Sequence, residues 1–192
     1  MQKGTEVDVI WTQTSTNLEH NLAAIEFPLF RGYSGYRIFL IRKQEQDKFN
    51  RITNEEQLKQ LVAGQVSFWP DVNVLKSNKY HMVEANTQQS LLSMLLHERF
   101  DYMPRTIPEA YREALQYDGL TVEKSIALYY PQTYYFFVNK NNTRLKERIE
   151  LGFSKIERNG VLKQYFENHQ DTQRYMYFNK SEQRTVFKLN IE

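Results

Sequence analysis

An α/β fold in two lobes is predicted by three observations. Residues 36–116 read as a strand followed by a helix four times in succession. Two extended segments, 36–43 (YRIFLIRK) and 126–139 (IALYYPQTYYFFVN), bracket that stretch. The chain outside them is left with one strand and several helices. Strand and helix in alternation build a parallel sheet with helices on its faces, and two crossings imply two lobes joined by a hinge. The expected division is 37–137 for a complete second lobe with its hinge strands, and 1–36 with 138–192 for a partial first lobe.

Residues 7–11 (VDVIW) form a short apolar, β-branched run and read as a buried strand. A lone strand cannot satisfy its backbone groups, so the outer lobe is expected to lack its opening strands. The polar run 12–17 (TQTSTN) offers hydroxyls, among them Thr14, Ser15 and Thr16, suited either to capping a helix or to holding a polar ligand. After extended 26–30 (EFPLF) and a glycine turn at 31–35 (RGYSG), the strand 36–43 carries Arg37 and Arg42 among apolar positions.

Thr53 and Glu56 have capping-box spacing for a helix that buries Leu58, Leu61 and Val62 and stops at Gly64. A strand over 66–69 ends at Pro70, Asp71 is placed to cap a short helix, and 80–83 is the next strand. Leu91, Leu92, Leu95 and Leu96 form the apolar stripe of a helix over 87–97. Thr106 and Glu109 repeat the capping-box spacing, with Pro108 in the first turn. Farther on, 142–159 and 161–169 read as helices divided by Gly160, and the polar tail carries a late apolar pulse at Val186, Phe187 and Leu189.

The stretch 94–105 (MLLHERFDYMPR) organises the site expectation. A strand over 99–102 is expected to stop before Pro104, which has no N–H for a ladder. Ligands of open α/β sheets sit beyond the carboxyl ends of strands, so Asp101, Tyr102 and Arg105 are the first candidates. Asp101 either touches a ligand or caps the next helix, and Arg105 either binds an anion or pairs with Glu109. Trp69 and Asp71 lie at another strand end, where the aromatic ring either stacks on a ligand or joins the core. Tyr33 and Arg37 flank the hinge entry. An arginine within an apolar strand is costly to bury unpaired, so Arg37 is a cleft residue or the partner of a carboxylate.

Composition narrows the function classes. The 25 basic and 23 acidic residues leave a net charge of +2 and form no long like-charge run, which argues against a nucleic-acid arm. The absence of cysteine excludes thiol catalysis, disulfides and thiolate-bound metal. No apolar run is long enough to span a bilayer, and the opening residues show no charged-then-apolar export pattern. His20, His81, His97 and His169 are far apart and lack zinc-site spacing, and no phosphate loop or nucleophile elbow occurs. No metal, cofactor or catalytic residue is expected.

The ordered motifs VDVIW, the Thr/Ser-rich run, EFPLF and GYSGYRIFLIRK resemble the later first lobe and hinge of the solute-binding proteins that feed ABC importers, the type 2 periplasmic-binding fold. LKQLVAGQVSFWPDVNVLKSNKY is similar to their second-lobe opening, LLSMLLHERFDYMPR to the segment with the acidic ligand contact, and the stretch from YYPQTYYFFV onward to the returning hinge and closing helices. The likeness covers residues 5–170 and lies nearest the amino-acid binders of family 3. It implies a periplasmic, non-enzymatic module that traps a small polar solute by hinge closure, with an ABC permease as partner. A sensory input domain and a dehydratase or lyase are the alternatives. Two departures stand out: family members begin with an export signal and a first βαβ portion, and the arginine that clamps the ligand carboxylate has His20 as its nearest equivalent here. A histidine cannot supply the two-pronged guanidinium contact.

Overall fold

A computed structural model describes residues 7–181 and 183–191, with the side chains of 179–181 outside that description. The opening residues 1–6, on which the reading of the N-terminus partly falls, lie outside it too. In chain order the elements are β1 (Val9–Gln13), α1 (Thr16–Asn21), β2 (Ala23–Ile25), β3 (Tyr36–Arg42), α2 (Gln46–Asn50), α3 (Glu55–Lys59), β4 (Val62–Val66), α4 (Asp71–Ser77) and β5 (His81–Ala85). They continue with α5 (Gln88–Leu96), β6 (Met103–Arg105), α6 (Ile107–Gln116), β7 (Leu120–Val122), β8 (Ile126–Tyr129), β9 (Tyr134–Val138), α7 (Thr143–Arg158), α8 (Val161–Asn168), α9 (Gln170–Ser181) and β10 (Thr185–Lys188). The chain divides into two compact units, 1–35 with 131–176 and 36–130 with 177–192.

In the first unit β9 is the middle strand of an antiparallel sheet, ordered β1, β9, β2. The ladder partner that β1 needs therefore comes from the returning aromatic run, β9, whose other side pairs with β2. β1 is not a buried strand: its side chains are half-covered and Trp11 is largely exposed. Phe153 fastens α7 to this sheet, stacked on Phe27 at 4.2 Å and on Phe136 at 5.7 Å. Asn142 caps α7 by accepting from the Leu145 N–H, and Gly160, at φ +75°, makes the left-handed corner into α8.

The second unit holds a mixed sheet, whereas alternation predicted a parallel one. β3 runs antiparallel to β6, β7 and β8, while β4 with β5 and β8 with β10 are parallel. A bridge between Ala63 and Tyr102 joins β4 to the β6 side. Period-2 alternation then gives each face its own core. Phe39, Ile41, Ala63 and Tyr102 pack with Leu75 and Leu128 on one face; Leu40, Val66 and Met103 pack with Leu91, Leu92 and Leu95 of α5 on the other. The tail strand β10 joins this sheet through β8, and Arg184 just before it donates to the buried Glu123 carboxylate at 3.3 Å and to the Ile126 carbonyl at 3.0 Å.

Three expectations fail here for identifiable reasons. The helix started by Asn54, which accepts from the Gln57 N–H, ends at Lys59, and Gly64 lies inside β4, where the Phe100 ring occupies the space of a side chain. The strand expected at 99–102 is β6, and it contains Pro104. The Phe39 carbonyl opposite it accepts from the Glu123 N–H at 2.8 Å on the other side, so the Phe39–Pro104 pair needs no N–H from the proline. Asp71 is the first residue of α4, follows Pro70 at the cap position, and turns its carboxylate elsewhere.

Gln65 in β4 is fully buried, and among the described residues neither its Oε1 nor its Nε2 has a partner. An unpaired buried amide costs about 1–3 kcal/mol, so Gln65→Met is expected to raise the melting temperature. Thermal unfolding followed by circular dichroism checks this, and a lower melting point would contradict it.

Candidate functional site

The carboxyl ends of β4, β6 and β8 and the amino end of antiparallel β3 share one edge of the second unit's sheet. Four of the predicted residues converge there: Arg37, Trp69, Asp71 and Arg105. They form two adjoining clusters. Arg37, 2% exposed, donates its Nε–H to Asp71 Oδ1 at 2.9 Å and its Nη1–H to the Tyr36 carbonyl at 3.2 Å. The same Asp71 oxygen accepts from the Tyr130 hydroxyl, and the Arg37 guanidinium lies 5.0 Å from the Tyr130 ring centre. The carboxylate role allowed for Arg37's partner thus falls to Asp71, another predicted residue.

Arg105 forms the second cluster. Its Nε–H donates to both oxygens of Glu113 at 2.9 and 3.0 Å, and Nη2–H donates to Oε1 at 2.6 Å, a bidentate pair of two buried side chains. Gln88 also donates to Glu113, and the Trp69 ring covers the guanidinium at 4.5 Å. Glu109, the expected partner, also pairs with Arg105, its Oε1 3.5 Å from Nη2, while its Oε2 closes the capping box with Thr106. Trp69 is thereby committed to Arg105, while its neighbour Phe68 is 76% exposed at the same edge.

The remaining candidates are placed differently. Asp101 lies before β6, at the opposite end of the sheet: its Oδ2 accepts from the Val62 N–H at 2.6 Å and its Oδ1 from Lys48. It fastens the start of β4, so it neither faces the carboxyl edge nor caps α6. Tyr102 is fully buried, its ring 4.6 Å from that of Phe39, and burial pushes its hydroxyl pKa up. It is a core residue. In the first unit, Ser15 caps α1 by accepting from the Leu18 N–H at 3.3 Å, Thr14 donates to Glu19, and Thr16 opens the helix with its side chain exposed. Tyr33 stacks against Tyr175 at 5.9 Å.

Sequence reasoning missed Tyr130, Glu113, Gln88 and Phe68. Glu113 carried a usable signal, an acid on the apolar side of an amphipathic helix beginning with Ile107 and Ala110. Tyr130, next to Pro131, carried none.

Burial pushes the Glu113 carboxyl above the ordinary glutamate range; the Arg105 charge and its hydrogen bonds act against that rise, and the charge of Glu109 adds to it. The folded state then holds this proton more tightly than the unfolded chain does. Its contribution to stability is greatest below the ordinary glutamate pKa and falls as pH rises through the higher folded value. The melting-temperature difference between the unmodified chain and Glu113→Gln should therefore shrink with rising pH across that window. Melts over a pH series check this, and a difference that grows would contradict it.

No family model matches the chain, and no curated protein matches it in sequence. Solved structures do match. An amino-acid ABC transporter substrate-binding protein from Streptococcus pneumoniae, bound to L-arginine, aligns over 91% of this chain and 70% of its own at TM-score 0.66 and 16% identity. An ancestral arginine-binding protein bound to glutamine covers 88% and 73% at TM-score 0.65 and 16% identity. An ancestral amino-acid-binding protein described as a precursor of cyclohexadienyl dehydratase covers 86% and 70% at TM-score 0.62 and 14% identity. The fold is that of the periplasmic-binding-protein-like α/β class. Within that class, the solved structures it matches include substrate-binding proteins of amino-acid ABC transporters.

Proposed function

We propose that the chain is an extracytoplasmic solute-binding module that captures a small polar, amino-acid-like solute for ABC-type transport and performs no chemistry on it. The observation that carries this reading is the convergence of Arg37, Asp71, Trp69 and Arg105 on the one sheet edge where ligands of α/β folds sit. The likeness in fold to amino-acid binders supports it. Both arginines on this edge are already held by carboxylates, so the edge presents hydrogen-bonding groups and the exposed Phe68 ring in place of a bare charge. That surface suits a zwitterion with a flat or apolar side chain. Thr14, Ser15, Thr16 and Tyr33 of the first unit are likewise proposed as solute contacts, and the periplasm as the place of action. Among the described residues no helix is long and apolar enough to cross a membrane.

Thermal melts in the presence of individual amino acids, small peptides and polyamines test the proposal. A true ligand at 100 times its Kd stabilises by about 2.7 kcal/mol, so one class should raise the melting temperature with the logarithm of concentration. Absence of any concentration-dependent shift would sink it, and turnover of a bound compound would replace it with an enzymatic reading.

A further inference from the structure

The turn over residues 28–33 in the first unit is held from both sides by aromatic packing. The Arg31 N–H donates to the Pro28 carbonyl at 3.0 Å and the Tyr33 N–H to the Phe30 carbonyl at 2.9 Å. Phe30 meets Tyr134 edge-on at 5.4 Å and Trp11 at 6.1 Å, and Tyr33 stacks on Tyr175 at 5.9 Å. Between these anchors Arg31 adopts φ +50° and Gly32 φ +85°. Glycine adopts the left-handed region freely; an arginine Cβ does not. A turn with no other duty would favour glycine or asparagine at 31 as well.

The arginine side chain leaves this fixed backbone at the mouth of a recess of about 370 Å³, lined by Arg31, Tyr33, Lys163, Phe166, Glu167 and Met176. Its guanidinium stands 5.8 Å from the Phe166 ring centre. An exposed contact of that kind is weak and does not account for the strained backbone. Lys163 already has Glu167 at 3.7 Å, and Arg31 has no carboxylate partner among the described residues. The recess therefore joins aromatic and thioether walls to two cations and one carboxylate, the composition of a small-molecule site with a net demand for an anion.

We infer that this recess binds a small carboxylate with an aromatic body: the carboxylate meets the Arg31 fork, with Lys163 alongside, and the body lies against Phe166, Met176 and Tyr33. The planar guanidinium matches a carboxylate by two parallel hydrogen bonds. The site shares no residue with the edge around Arg37 and Arg105; of the residues proposed for solute capture only Tyr33 lines it, and its test reads Met176 and Arg31, which that proposal does not use.

The test uses the full chain with ¹³C-methyl methionine and sodium phenylacetate as probe, observed by NMR. A saturable shift of the Met176 methyl is expected, with Met82, Met94 and Met103 unmoved and with no shift on adding benzylamine. Arg31→Gly should abolish the Met176 shift while holding or raising the melting temperature, and Arg31→Lys should weaken it. The inference is overturned by the absence of a saturable Met176 shift, by an equal response to benzylamine, or by an undiminished response in Arg31→Gly. A lower melting temperature for Arg31→Gly also overturns it, because the arginine would then serve the fold.

Discussion

Gly64→Val is expected to destabilise the second unit by about 3 kcal/mol or more. A Cβ at Gly64 would lie 2.3 Å from both Cε2 and Cζ of Phe100, well inside contact distance. Neither side can yield easily. The backbone of β4 is paired along its length with β5, and the Gly64 N–H donates to the Tyr102 carbonyl at 2.8 Å on the other side. Phe100 is itself buried among Leu91, Leu95 and Met103. Thermal melts should show the loss, and Phe100→Leu in the same chain should recover part of it, giving a favourable coupling between the two substitutions. Unchanged melting of Gly64→Val would mean that the Phe100 ring does not pack there.

Arg37→Met should cost about 3–5 kcal/mol, because it strands a mostly buried Asp71 carboxylate without its cation. Changing Asp71 to asparagine as well should return much of that loss, since a pair removed together leaves no uncompensated charge. Denaturant unfolding of the two single variants and the double variant measures the coupling. Equal losses that simply add would show that Arg37 and Asp71 do not act as a pair. The Tyr130 hydroxyl shares the Asp71 oxygen, so Tyr130→Phe should produce a smaller loss in the same direction.

Local chemistry made much of the helical framework legible in the sequence. Thr87 accepts from the Ser90 N–H, Thr106 and Glu109 close a capping box, and Gly160 has the positive φ that a helix corner requires. The alternation in YRIFLIRK sends Phe39 and Ile41 to one core and Leu40 to the other. What the sequence hid depends on contacts distant along the chain. Gly64 reads as a helix stop until Phe100 is seen filling its missing side chain. Pro104 reads as a strand stop until the Phe39 carbonyl is seen turned toward Glu123.

The site divides along the same line. Arg37, Trp69, Asp71 and Arg105 were recognisable because polar or aromatic residues at strand ends carry a positional signal. Asp101 carried the same signal, yet it serves the start of β4, since a short strand places one end of its flanking sequence at each edge of the sheet. Two carboxylates of α6 pair with Arg105: the i,i+4 spacing pointed to Glu109, while Glu113, one turn farther on and making the closer bidentate contact, was hidden by its sequence distance.

The side-chain N–H signals of the two tryptophans, Trp11 and Trp69, give the most direct test of whether the carboxyl edge of the second unit receives the solute. Titrating the compound that raises the melting temperature should move the Trp69 indole resonance saturably, with the affinity that the thermal shift implies. A compound that stabilises Arg31→Gly as fully as the unmodified chain, and so acts outside the first unit's recess, yet leaves Trp69 unmoved at saturation would contradict the placement of the site on that edge.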